Sequence, residues 1–447
     1  MAIAPIRGTL VILLFLTAFL CAVAASAQGP VLLGMGDSVG EGVQSADANL
    51  FTQPSSYLSI IAGQAGVPFP LPLIVSNPFG WTGSADGRSR LDPNLQAANL
   101  SVSGQRLHEL LREQADGVID AEVDLVLAPR LGTQIEVAES LDPGFIICFV
   151  GGNDLLNALT SFDQLNGTQV TPVADFERDY RELMTRLGAL GKPVVVANLP
   201  DPDKSAFLFD RDDLIAHAGG DYGLPAGSYT TLIEAALLRL GLDDGTNLQD
   251  PNWVLDPAEA AALVQHAEAL NQVIAAEAAV FDFPVVDLNA FTDEIIQNPP
   301  VHAGVTISTR YLGGLNSIDG VHPSNIGHAL LANEFIKVIN RRYSLKIPKV
   351  PARVLNLIAF LDPFVDLDGD RQVRGRPFVG LGETVAFLMG VSGDPSEDVP
   401  QGAVAPAGAR DILDLLRSLQ GGSAARQGAV SKQEAAGLLA GALGIRR

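Results

Sequence analysis

Within Val31–Gly42, VLLGMGDSVGEG, a short apolar run ends in four glycines within nine residues, with Ser38 among them. Such a loop has two chemical readings: a cradle for a phosphate, or a turn that presents a serine nucleophile. A dinucleotide fingerprint needs G-x-G-x-x-G, whereas the spacing here is Gly34-x-Gly36-x-x-x-Gly40. A Walker loop needs Gly-Lys-Ser/Thr, and the stretch has no lysine. Asp37 would also repel an incoming phosphate. Gly36-x-Ser38-x-Gly40 matches the nucleophile-elbow pattern, but it lies on the first strand, where an α/β-hydrolase elbow does not belong.

A serine nucleophile requires a base, an orienting acid and oxyanion donors. Of six histidines (108, 217, 266, 302, 322, 328), His322 has a carboxylate at a spacing that lets both point from one loop. In SIDGVHPSN, Asp319 precedes His322 by three residues, so Asp319 can accept from Nδ1 while Nε2 faces Ser38. The apolar run FIICFV leads into Gly151-Gly152-Asn153, where Asn153 is either a turn residue or an amide donor to an oxyanion. ANLSVSGQRL ends another strand candidate at Gly104, whose backbone N–H is a second candidate donor to the same oxygen. His322 and His328 lack the i,i+4 spacing and the glutamate of a zinc helix, so no metal is expected at this site.

The elements that must position these residues read as strands alternating with helices. Strand candidates are Val31–Met35, Ala98–Val102, Phe145–Val150, Val194–Asn198 and Val285–Leu288, mostly continuous apolar runs, as in a parallel sheet covered on both faces. Helical spacing covers Asp175–Leu190, a long stretch capped by Asp256-Pro257 and ending at Ala279, and a third from Ser324 to Asn340. This alternation predicts a three-layer, doubly wound, mostly parallel α/β domain over residues 28–346. All the candidate groups then lie just past the carboxyl ends of strands or in the loop feeding the last helix, where such sheets bind ligands.

Two inserts interrupt the pattern. VPFPLPLIVSNPFGWTGS (67–84) is too proline-rich for regular structure, and residues about 201–255 combine several turns with one short helix. Phe69, Leu71, Phe79 and Trp81 in the first insert read as core more readily than as an acyl-pocket wall. Residues 347–447 form a small, mostly helical or disordered appendage with a low-complexity end.

The four segments GDSV, the SG of NLSVSG, GGND and DGVHPS resemble, in order, the four motif blocks of the GDSL-type SGNH hydrolases. The resemblance spans about residues 29–345 and implies a flavodoxin-like α/β fold that hydrolyses esters without a cofactor. It implies a triad of Ser38, His322 and Asp319, with Ser38, Gly104 and Asn153 forming the oxyanion hole. Val39 stands where the family usually has Leu. The implied partner is a small-molecule or lipid ester. A carbohydrate acetyl esterase, or an exported binding protein on the same fold, remains an alternative.

The remaining features bound the setting. MAIAPIRGTLVILLFLTAFLCAVAASAQ has the charged, apolar and small-residue regions of a secretory signal peptide, with cleavage expected after Ala27 and a periplasmic or extracellular product. Cys148 is then the only cysteine, buried in its apolar run, so no internal disulfide is expected. The net charge of −22 repels phosphate backbones and anionic membrane and so argues against nucleic acid as a partner, and no stable membrane span is expected after signal removal. Asp366, Asp368 and Asp370 in DLDGDRQV sit at calcium-loop spacing, but Arg371 replaces the glycine and Pro377 the final ligand. A solvated acidic loop is the favoured reading.

Overall fold

The computed structural model describes residues 29–75, 88–160, 170–373 and 389–391. The expected signal peptide, Phe79, Trp81, Pro377 and the low-complexity end lie outside the described residues. Four parallel strands form the central sheet: β1 (Leu33–Gly36), β2 (Ile146–Phe149), β3 (Val194–Ala197) and β4 (Val285–Val286), neighbouring one another in that order. The register runs Leu33 to Ile146, Ile146 to Val194 and Val196 to Val285. Every residue of β1, β2 and β3 is buried, which is why these segments read as unbroken apolar runs. Burial pushes the Cys148 thiol up to about 12, leaving it an inert part of this core.

The segment Ala98–Val102, expected as a strand, runs along the free edge of β1 but makes only one parallel bridge, Gly34 to Asn99. Gly34 N–H donates to the Ala98 carbonyl (2.9 Å), and Leu100 and Val102 donate back to Gly34 and Gly36 (2.8 and 3.0 Å). The ladder stops because the Gly36 N–H turns instead to the Gln134 side chain. With this segment counted, the spatial order is second, first, third, fourth, fifth along the chain. The order therefore reverses beside β1, a position where doubly wound sheets form a ligand crevice.

The helices that matter for the site are α1 (Ser38–Glu41), α2 (Tyr57–Ala65), α3 (Leu107–Arg112), α4 (Gln134–Leu141), α5 (Asn153–Thr160), α6 (Val173–Ala189), α7 (Pro257–Val280), α8 (Leu288–Gln297), α9 (Asn325–Tyr343) and α10 (Ala352–Leu361). Two packed pairs, α6 with α7 and α2 with α9, flank the sheet. Local chemistry starts them: Asp256 caps α7 ahead of Pro257, and the Ser324 hydroxyl accepts from Gly327 N–H at the head of α9. The expected strand to Leu288 ends early because Asp287 caps α8, accepting the Ala290 N–H at 3.0 Å.

Between 201 and 255 the chain is more ordered than its turn residues suggest. It holds helices at Arg211–Ala218 and Leu232–Arg239 and a short antiparallel pair, Leu208–Phe209 with Thr230–Thr231. Ile74–Val75, in the proline-rich insert, pairs antiparallel with Ser89–Arg90. Beyond residue 346, α10 packs on α9, burying Leu355 and Ala359 beside Ile326 and Ala329. Asp362 ties the two together by accepting the Ile326 N–H at 2.8 Å. No described helix is long and apolar enough to cross a membrane.

Candidate active site

Ser38 opens α1, a single helical turn that springs from the end of β1. Asp37 caps it, its carboxylate accepting the Val39 N–H at 3.1 Å, and Gly42 closes it in the left-handed region. Two glycines allow this turn. At Gly36 (φ +143°) a Cβ would lie 1.9 Å from the Phe149 carbonyl oxygen, and at Gly40 it would lie 2.3 Å from the Ser101 hydroxyl. The Ser38 turn thus nests between the neighbouring strand and the Ala98–Val102 segment.

His322 reaches this turn from the loop before α9. Its Nε2 is 2.9 Å from Ser38 Oγ and its Nδ1 is 2.6 Å from Asp319 Oδ2. Asp319 is buried and accepts four further bonds: from His322 N–H (2.9 Å), Val321 N–H (2.9 Å), the Ser317 hydroxyl (3.2 Å) and Ala46 N–H (2.7 Å). Burial pushes its carboxyl up, but the neighbouring His322 and these bonds outweigh that and hold it below its ordinary value. The three residues therefore touch in the order serine, imidazole, carboxylate.

Asn153 begins α5 and lines the same cavity as Ser38. One of its amide hydrogens goes to the Gln105 carbonyl at 2.9 Å, leaving the second free of that bond. Gly104 has φ +78° and lies between two tethered neighbours. Ser103 N–H donates to Glu41 Oε2 at 2.7 Å, and Gln105 holds Asn153. Gly104 is not among the residues lining the cavity.

Burial pushes several carboxyls around the turn above their ordinary values. Asp37 is pushed up to about 7, against the opposing pull of the Val39 N–H and His322. Asp154, which accepts the Leu107 N–H at 3.0 Å, is pushed up to about 6 by the same cause. Glu41 is raised well above its ordinary value by burial and by Glu122 beside it, despite Arg88. None of Glu41, Gln105 and Gln134 stood out in the sequence. Glu41 lies one turn from Ser38 in the quoted glycine stretch, and the box Thr133-x-x-Glu136 marks Gln134 as a helix start.

A cavity of about 210 Å³ opens beside Ser38 and Asn153. Its wall is chiefly apolar: Phe149, Leu155, Leu156, Leu159, Leu199 and Phe291. A polar edge carries Asp201, Lys204 and Ser205, with the Lys204 ammonium 2.7 Å from Asp201. Phe69 and Leu71 do not line the cavity; Phe69 packs against the core beside Gly34. The Asp366, Asp368 and Asp370 carboxylates converge within 4.8 Å, the one such cluster among the described residues. Those of Asp366 accept Gly369 N–H (2.8 Å) and Arg371 N–H (2.9 Å).

Residues 32–335 match the family model of the GDSL-like Lipase/Acylhydrolase. The chain belongs to the GDSL-like lipase/acylhydrolase family. As a member of it, the protein is a carboxylic ester hydrolase. No curated protein sequence matches this GDSL-like chain. Among solved structures it is similar to an alpha/beta hydrolase enzyme from the metagenome of Lake Arreo, Spain, at 15% identity over 70% of this chain and 96% of that one (TM-score 0.36). It is similar to a GDSL-like lipase candidate from Parabacteroides merdae, at 15% identity over 70% and 95% (TM-score 0.36). It also resembles an acetylxylan esterase from Geobacillus stearothermophilus, at 13% identity over 72% and 98% (TM-score 0.36).

Proposed function

We propose that this GDSL-like hydrolase cleaves acyl esters by a serine mechanism through Ser38, His322 and Asp319. The observation that carries this reading is the continuous contact from Asp319 through both ring nitrogens of His322 to Ser38 Oγ. His322 Nε2 takes the Ser38 proton as Oγ attacks the ester carbonyl, and Asp319 steadies the imidazolium that results. The oxyanion is met by the N–H groups of Ser38 and Gly104 and by the amide hydrogen of Asn153 that Gln105 leaves unused. His322 then gives its proton to the departing alcohol. Water attacks the acyl-enzyme by the same route, and Ser38 regains its proton. No step draws on a metal or cofactor.

The leucine-rich wall beside Ser38 supports an apolar acyl group of medium or greater length over an acetyl group. The amino-terminal segment supports export, with maturation after Ala27. Hydrolysis of nitrophenyl esters from acetyl to dodecanoyl, wild type beside Ser38→Ala, tests the activity. Turnover confined to the wild type, with an optimum beyond butanoyl, is expected. An acetyl optimum transfers the reading to a carbohydrate acetyl esterase, and full activity in Ser38→Ala removes the serine mechanism. The mass of the exported protein's amino terminus checks the cleavage.

A further inference from the structure

Gln134, the first residue of α4, is fully buried and its side chain lies in the space where the edge of β1 would otherwise seek a strand. Its Oε1 accepts the Gly36 N–H at 2.8 Å, and its Nε2 donates to the Gly36 carbonyl at 2.9 Å. The same Nε2 donates to Gln105 Oε1 at 2.6 Å. Gln105 passes the link on in two directions. Its Nε2 donates to Glu113 at 2.9 Å, and its backbone carbonyl accepts the Asn153 amide at 2.9 Å.

The polarity of this chain is set at both ends. The Gly36 N–H accepts nothing, so it must face an oxygen; the Glu113 carboxylate has no hydrogen to give, so it must face an N–H. Between these ends only one orientation of each glutamine amide satisfies every contact. Both glutamines are buried, Gln105 at 1% exposure, so water does not compete for these bonds. Gln134 thus joins the residue two before Ser38 to the carbonyl that holds Asn153.

We propose that Gln134 is a positioning residue for the oxyanion donor Asn153: by clamping Gly36 to Gln105 it keeps the Asn153 amide aimed at Ser38. This rests on the serine mechanism proposed above. The role is geometric. Freed from Gln134, Gln105 and the Asn153 amide held by its carbonyl can drift from the nucleophile turn, and a displacement of about 1 Å costs on the order of 100-fold in rate. Binding of the ester, made mainly by the apolar wall, is untouched.

The test is a double-mutant cycle. Gln134→Glu and Gln134→Met are each made alone and with Asn153→Ala, and kcat and KM are measured on the preferred nitrophenyl ester. Gln134→Glu preserves shape but replaces the donating amide by an acceptor; Gln134→Met preserves volume and removes both functions. Each single variant is expected to lose roughly 10- to 100-fold in kcat with KM within about threefold of wild type. In the Asn153→Ala background the further loss should shrink to about threefold or less, because the group being positioned is gone. A purely structural residue would exact the same penalty in both backgrounds, and that result overturns the proposal, as does an unchanged kcat in the single variants. Should neither Gln134 variant fold, the cycle is run on Gln105→Leu, which severs the same link from the loop side. A loss that shrinks in the Asn153→Ala background then supports the proposal, and an equal loss in both backgrounds overturns it. Wild type without Ser38-dependent hydrolysis overturns the serine mechanism and this inference together. Ser38-dependent hydrolysis indifferent to Gln134 overturns this inference alone.

Discussion

Ala46 donates its backbone N–H to Asp319 Oδ2 across 2.7 Å, joining the loop after the Ser38 turn to the carboxylate that holds His322 Nδ1. Ala46 does so from the left-handed region, φ +63°, next to Ser45 at φ +52°, whose N–H is held by the Ser317 hydroxyl at 2.8 Å. Two strained residues in succession mark a loop held by its contacts, and those contacts converge on Asp319.

Asp319→Asn is predicted to lower kcat by on the order of 10⁴ with little change in KM, because an amide no longer enforces the Nδ1–H tautomer of His322. Steady-state kinetics on a nitrophenyl ester check this, and a loss below tenfold contradicts it. The same carboxyl bears on stability. Its folded pKa is depressed, so its contribution is present above its unfolded value of about 3.8 and is lost as pH falls through the lower folded one.

Asn153→Ala is predicted to lower kcat roughly 10²- to 10³-fold while leaving KM nearly unchanged, as for other side-chain donors to an oxyanion. Full kcat in a folded Asn153→Ala protein removes Asn153 from the oxyanion site.

Asp37 predicts a stability that declines with rising pH. Burial raises its carboxyl to about 7 in the folded protein, above the 3.8 of an open chain. A raised folded pKa means that its contribution is complete below about 4 and is lost as pH climbs through 7, at up to ~1.4 kcal/mol per pH unit. Denaturant unfolding at pH 5, 6, 7 and 8 should give a shallower decline for Asp37→Asn than for wild type. Asp154 and Asp362, each raised to about 6 by burial, keep part of the slope in the variant. Equal slopes in the two proteins count against this assignment.

Glu41 separates hydrogen bonding from charge. Its raised pKa favours the neutral acid, and its Oε2 accepts from both the backbone and the hydroxyl of Ser103. Glu41→Gln keeps an accepting oxygen and should cost less than ~1.5 kcal/mol. Glu41→Ala leaves the buried Ser103 N–H without its partner and should cost ~2–4 kcal/mol. Urea midpoints decide, and a larger loss for Glu41→Gln than for Glu41→Ala reverses the argument.

Leu156 lines the cavity on α5, between Leu155 and Leu159. Leu156→Trp is predicted to move the chain-length optimum of ester hydrolysis towards acetyl, with kcat on short esters retained within a few fold. An unshifted optimum places the acyl chain elsewhere.

Much of this architecture is visible in the residues themselves. β1, β2 and β3 are legible because strands buried on both faces carry unbroken apolar runs, and α7 and α9 because Asp256-Pro257 and Ser324 are strong starts. The segment Ala98–Val102 misleads because its strand-like alternation of apolar and small polar residues shows an extended, buried chain but not how far its pairing runs. A side chain 32 residues further on intercepts the Gly36 N–H that would have continued the ladder. Between 201 and 255 the turn residues obscure two helices whose apolar faces are short.

Residue type and order alone specify what each segment can do locally: glycines that let the chain turn sharply off a strand, an aspartate three residues before a histidine, an asparagine just past an apolar run. Those properties depend on residue type and on near neighbours, so the order of residues is enough to read them. The folded chain alone brings His322 to a serine 284 positions away, holds Asp319 with Ala46, and joins Gly36 to Gln105 through Gln134. A buried amide or carboxyl has no periodic signature, and its partner is chosen by how the sheet and helices bring distant loops together.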